Sequence, residues 1–191
     1  MPIQPDTFAD LPPRDRILHA AHDLFYGEGI RATGIDKVIA QAHVTKVTFY
    51  RQFASKDALV LAYLAYRHEL WMGWLRTALA AQQAQGHTPQ QALAAAMGAW
   101  FKREDFRGCA FLNATAELGA TSPEVMALVR EHKRDMAHEL AQLLPAGAGR
   151  AARGRALAMV VDGAILQAQM GMPLAGVLEV LRTVVRPVFS V

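Results

Sequence analysis

Between His43 and Leu59 the chain reads HVTKVTFYRQFASKDAL, a stretch dense in hydrogen-bond donors. It holds hydroxyls at Thr45, Thr48 and Ser55, ammonium groups at Lys46 and Lys56, a guanidinium at Arg51 and a phenol at Tyr50. Wound into a helix, it turns Val44, Phe49 and Phe53 inward and Thr45, Lys46, Thr48, Tyr50 and Arg51 outward. An outward face of that kind suits a phosphate backbone, which is a row of acceptors. The plainer account is a solvated helix face, the common fate of polar side chains.

Other constellations promise less. His19 and His22, flanked by Asp15 and Asp23, can place ligands on one helix face, but Ile17, Ala21, Leu24 and Phe25 claim the inward side. That polar set is therefore expected in water, without a metal. His132 and His138 are six apart and do not share a face, and no local Ser-His-Asp arrangement exists. GAGRAARG, residues 147–154, looks like a phosphate loop only superficially, because no strand precedes it. No catalytic role and no cofactor is expected. Cys109, after Gly108 at the start of a helix, is open to two readings: a redox-sensitive thiolate favoured by helix amides, or a small buried apolar residue.

The elements that must position these groups are helical. Of 191 residues, 52% are hydrophobic and 19% charged, with alanine and leucine abundant, which favours helix throughout. The net charge of +3 is too mild to identify a nucleic-acid protein, so that signal must be local. A single cysteine rules out an internal disulfide framework and makes a reducing cytoplasm the simplest setting. No secretory leader pattern opens the chain, and its apolar stretches are too interrupted to span a membrane.

Pro13 starts a first helix that Gly27 and Gly29 end. Thr33 or Gly34 caps a short second helix, IDKVIAQA, with Ile35, Val38 and Ile39 inward; His43 occupies the turn, and a third helix begins near Thr45. Short helix, tight turn, short helix is a helix-turn-helix. Ser55 caps a long fourth helix; others begin at Thr88-Pro89, after Gly108 and after Thr121-Ser122-Pro123. PAGAG, 145–149, is a linker before two last helices at about Arg150 to Met170 and Leu174 to Phe189. The expectation is an all-α protein of about nine helices: a three-helix head carrying the helix-turn-helix at 10–55 and a larger helical body at 56–191.

The order ILHAAHDLFYGEGI, TGIDKVIAQA, VTKVTFYRQFASKDAL resembles the amino-terminal head of the tetracycline-repressor (TetR) family over about residues 14 to 62. Ala20, Ala21, Leu24, Phe25, Gly29, Thr33, Ile39, Ala40, Ala42, Val44, Thr48, Tyr50, Phe53, Lys56 and Leu59 carry it in order. GCAFLNATAEL followed by SPEV is similar to the sixth and seventh helices of one large branch. The resemblance implies a homodimeric, ligand-responsive repressor on a palindromic double-stranded DNA operator. It places major-groove readers at Lys46, Val47 and Tyr50 and phosphate contacts at Thr33, Thr45, Thr48, Tyr50 and Lys56; Arg51 is divided between phosphate and solvent. His43, Gly34 and Val47 depart from the common pattern, so operator sequence does not transfer.

Trp71, Leu75, Trp100, Phe101, Phe111, Met136 and Met159, with Asn113 and Asp162 among apolar neighbours, serve as core, as the lining of an effector pocket, or as both. The final two helices carry too many apolar faces for a free surface; Gly163 and Ala164 permit close approach, and Val161 and Val177 are expected at a four-helix interface with a second copy. The alternative from another class is a helical small-molecule-binding or catalytic protein that retains an unused head. Activation in place of repression depends on where an operator lies relative to its promoter.

Overall fold

The computed structural model describes residues 8–190. Residues 1–7 of the proline-bearing start, where a leader pattern is not expected, and Val191 lie outside the described residues. Among the described residues the chain is all α, with nine helices and no strand. They are α1 (Pro13–Glu28), α2 (Ile35–Gln41), α3 (Lys46–Gln52), α4 (Lys56–Ala84), α5 (Pro89–Phe101), α6 (Ala110–Leu118), α7 (Pro123–Ala141), α8 (Arg150–Gln169) and α9 (Leu174–Phe189). None of them is long and apolar enough to cross a membrane.

The helix boundaries follow from local chemistry. Pro13 occupies the first turn of α1, where its missing N–H costs nothing, and Gly29, at φ +97°, ends it. Gly34 and not Thr33 caps α2, without a side-chain bond. Ser55 accepts from Ala58 N at 3.0 Å and opens α4, while Thr88 and Gln91 form a reciprocal capping box on α5.

Contacts divide the chain into two compact units. The first runs to Arg67 and adds Asn113–Leu128; the second holds His68–Leu112 and Val129–Val191. In the first, Ile17, Ala21, Leu24 and Phe25 of α1 are buried with Val38, Phe49 and Phe53, and Phe25 meets Tyr63 edge to face at 5.4 Å. His19 and His22 are half-buried here, against the expectation that they stand in water. Two side chains of α4 cover them: Tyr66 Oη lies 3.4 Å from His19 Nδ1, and Arg67 reaches His22 Nε2 at 3.1 Å. Burial lowers the His19 pKa, and the neighbouring His22 adds to this.

In the second unit α9 packs on α5 and α8. Gly154 lets α8 approach α7 closely: a methyl group there would stand 2.6 Å from the Ala137 carbonyl oxygen. Leu93, Met97, Met136, Leu157, Val161 and Ile165 are buried. Val161 is thus a core residue of its own chain, which corrects its assignment to an intersubunit face.

Candidate functional site

The turn between α2 and α3 decides what α3 shows to solvent. His43 adopts φ +52°, a left-handed conformation that few non-glycine residues take, and its carbonyl accepts from Arg16 Nη1 at 3.3 Å. Thr45 then caps α3, accepting from Thr48 N at 3.1 Å, and the two hydroxyl oxygens lie 2.9 Å apart. Phe49 is fully buried and holds the inner side of the helix, with Phe53 6.3 Å away and Arg14 stacked 4.6 Å from the Phe53 ring. The same helical turn forces Lys46, Val47, Tyr50 and Arg51 outward.

Val47 is 71% exposed, an apolar side chain set among donors. Lys46 Nζ stands 3.5 Å from Asp36 Oδ1, but both side chains are mostly in water, so this pair is weak and readily exchanged for another acceptor. Lys56 is half-buried, its ammonium 6.0 Å from the Phe25 ring. Thr33 differs from the rest of the predicted set. It is fully buried, and its hydroxyl donates to Gly29 O at 2.8 Å and lies 3.4 Å from Leu24 O, so its hydrogen is used within the protein.

The predicted effector residues do not share one place. Trp71, Trp100 and Phe101 form one aromatic cluster with Trp74 and Phe106; the Trp71 and Trp100 centroids are 5.7 Å apart. Phe111 stacks on His132 at 3.7 Å, and His132 meets Trp71 edge to face at 5.3 Å. Leu75 and Met136 are buried, while Trp71 Nε1 is buried without a hydrogen-bond partner among the described residues. Asn113 belongs to the first unit.

Met159 and Asp162 lie elsewhere, on a groove of about 1180 Å³ between α7 and α8, and Met159 is 76% exposed. Beside them Lys133 Nζ donates to Asp162 Oδ1 at 2.6 Å and to Cys109 Sγ at 3.4 Å. Burial pulls the Lys133 pKa down, but the sulfur and the carboxylate outweigh it and raise the value above the usual lysine range. Cys109 itself is buried.

Along α8 and its C-cap the residues Ala152, Ala156, Met159, Gly163, Leu166 and Met170 alternate spacings of four and three, and all are exposed. Val180 and Val184 continue an apolar surface on α9, and a groove of about 490 Å³ between the two helices is lined by Gly163, Gln167, Gly176 and Val180. Spacing of that kind is the seam of a helix that packs against another.

The sequence profile of bacterial regulatory proteins of the tetR family matches residues 17–63. SCO4454, a TetR-family transcriptional regulator from Streptomyces coelicolor whose crystal structure is known, is 33% identical, with a TM-score of 0.75 over 93% of this chain and 94% of that one. The chain belongs to the TetR family. Its match to YerO, an uncharacterised HTH-type transcriptional regulator of Bacillus subtilis, is 31% identical over 94 residues, or 49% of this chain and 31% of that protein. The chain thus matches about a third of that curated relative. The multidrug-binding protein EbrR, in its structure with malachite green, shares the fold at 23% identity and a TM-score of 0.72, over 93% of this chain and 98% of that one.

TetR-family regulators carry a DNA-binding helix-turn-helix, and the sequence spacing of this chain marks that motif. Three other features escaped the sequence. His68 Nδ1 and His132 Nδ1 meet at 3.2 Å from positions 64 apart, Lys133 joins Cys109 to Asp162, and Glu117 reaches the α1–α2 turn. Such pairings depend on which helices become neighbours, and no local pattern announces them.

Proposed function

We propose that this TetR-family regulator is a repressor that binds a palindromic operator as a homodimer and releases it when a small apolar or aromatic effector occupies its body. The observation that carries the reading is the α3 surface: Lys46, Val47, Tyr50 and Arg51 stand exposed on a helix fixed by Phe49 and by the Thr45 cap. A lysine there can donate to guanine O6 and N7, while Thr45, Thr48, Tyr50 and Lys56 set the register on phosphates. Residues 10–55 then read DNA, and residues 56–191 dimerise and take the effector, in a cytoplasmic protein without catalysis.

The exposed seam of α8 and the valines of α9 support pairing with a second copy, since an apolar stripe this regular is otherwise left in water. The aromatic cluster supports an effector with flat apolar surfaces, and the unpartnered Trp71 Nε1 supports one that also carries an acceptor. Induction requires the ligand to bind the geometry unsuited to DNA more tightly, and by linkage the operator weakens the ligand by the same factor, typically about 5 to 150-fold.

Selection of duplexes from a random library by the purified protein tests the reading. Inverted repeats are expected, with half-site centres about 34–36 Å or a multiple apart and affinity falling steeply with salt. Equal affinity for all duplexes overturns it. A panel of planar dyes, malachite green included, is then titrated into the complex; stabilisation of the protein by a dye with no loss of operator at saturation removes that dye as an inducer.

A second route of induction is favoured by one contact, Lys133 Nζ at 3.4 Å from Cys109 Sγ. Sulfur reacts as an anion, and an ammonium at hydrogen-bond distance is its ready counter-ion. In this reading Cys109 is a redox sensor. Thiol labelling of Cys109 is then slower in Lys133→Met than in the wild type; equal rates reduce Cys109 to a packing residue.

A further inference from the structure

Gly29 to Thr33 join α1 to α2, and most of the ties in this turn are local. Gly29 N donates to Phe25 O at 3.1 Å, the Thr33 hydroxyl donates to Gly29 O at 2.8 Å, and Lys37 pairs with Glu28 across the turn. One tie comes from far along the chain. Arg31 N donates to Glu117 Oε2 at 2.7 Å, from a residue 86 positions later in the last turn of α6. The same carboxylate lies against Gly29, where a methyl group would stand 3.4 Å from Oε2.

The turn needs such a tie because α2 can do little for itself. It has seven residues, its Gly34 cap offers no side-chain oxygen, and Val38 is its one fully buried residue. A helix of that length has no independent stability, so its attitude is set by what holds its ends. At the start of α2 that role falls to the turn, and a carboxylate is a stronger acceptor for an amide than a neutral oxygen.

We propose that Glu117 is a positioning residue for DNA binding: it fastens the α1–α2 turn to α6 and so fixes α2, and through the His43 turn α3, in the geometry that enters DNA. This rests on the reading of α3 as the DNA-contacting helix.

Two substitutions in the full-length protein test this. Glu117→Ala removes the acceptor; Glu117→Gln keeps an oxygen in the same place. In Glu117→Ala the Arg31 amide is expected to exchange with solvent about tenfold faster, and affinity for the duplex selected by the wild type to fall about tenfold, while α5 amides exchange as before. Glu117→Gln is expected within about threefold of the wild type in both measurements. Wild-type affinity in Glu117→Ala overturns the proposal. So does a Glu117→Gln variant as weak as Glu117→Ala with exchange accelerated equally in α5, because the residue then serves packing alone. If the wild type selects no duplex, the DNA-binding reading fails by itself; Arg31 exchange in the free protein still decides the clamp, and an unchanged rate in Glu117→Ala overturns it.

Discussion

The surface around α3 and the surface along α8 and α9 are both left open by the single chain, and they are made of opposite materials. On α3 the exposed side chains are Lys46, Tyr50, Arg51 and Gln52 around one valine, behind which Phe49 is fully buried. Along one stripe of α8 and α9 they are Met159, Leu166, Met170, Val180 and Val184 around small residues, with polar side chains such as Gln167 and Arg182 exposed elsewhere on the two helices. A partner for the first must supply acceptors and replace water's hydrogen bonds; a partner for the second gains by removing apolar surface from water. The first interface is therefore expected to be sensitive to salt and the second nearly indifferent to it.

Charge placed on either side of the α8–α9 surface should break the comparison most sharply. Val161→Asp puts an unpaired carboxylate into the protomer's own core and should cost on the order of 4 kcal/mol or more, seen as loss of the cooperative thermal transition. Val180→Asp lies on the exposed face, 62% open, and should keep the helical circular dichroism while halving the mass by light scattering. A Val180→Asp protein that stays dimeric at micromolar concentration removes this face as the interface.

On α3 the effects should be smaller and divide by role. Lys46→Ala should cost on the order of 1 to 3 kcal/mol on the selected operator and relax preference at one base position. Lys56→Ala should weaken all duplexes alike and reduce the salt slope by about one. Equal loss on specific and random DNA for Lys46→Ala would assign that lysine to phosphate. Retention of the full salt slope in Lys56→Ala would take it off the backbone.

The smallest expected effect lies at His19, beneath α4. Its pKa is lowered in the fold, chiefly by burial, so the unfolded chain binds the proton more readily. Stability should thus be fully present above the ordinary histidine value of 6.5 and fall as the pH drops below it. His19→Gln should flatten that decline in melting temperature between neutral and mildly acidic pH. A decline as steep as the wild type's would place its cause in another histidine.

Helix existence and order were legible because they depend on near neighbours. Pro13, Gly29, Thr45, Ser55 and Thr88 act within one turn of their own position, and the apolar spacing of α1 names its buried face directly. The outward set on α3 was legible for the same reason, since helical geometry alone carries Lys46, Tyr50 and Arg51 away from Phe49. Thr33 was not, because a threonine in a loop looks the same whether its hydroxyl faces solvent or, as here, two backbone carbonyls.

What the sequence determined by itself, then, is the all-α class, the helix-turn-helix and the face that α3 presents. Periodicity and capping are short-range and are written in consecutive residues. What only the tertiary structure decided is which apolar side of α8 is core and which is open, that His132 lies on Phe111, that Lys133 stands between Cys109 and Asp162, and that Glu117 holds the turn at Arg31. A helix with apolar residues on several faces fixes no direction for any of them. Each such side chain takes its role from the helix packed against it, and that neighbour is chosen by burying the largest shared apolar surface across dozens of intervening residues.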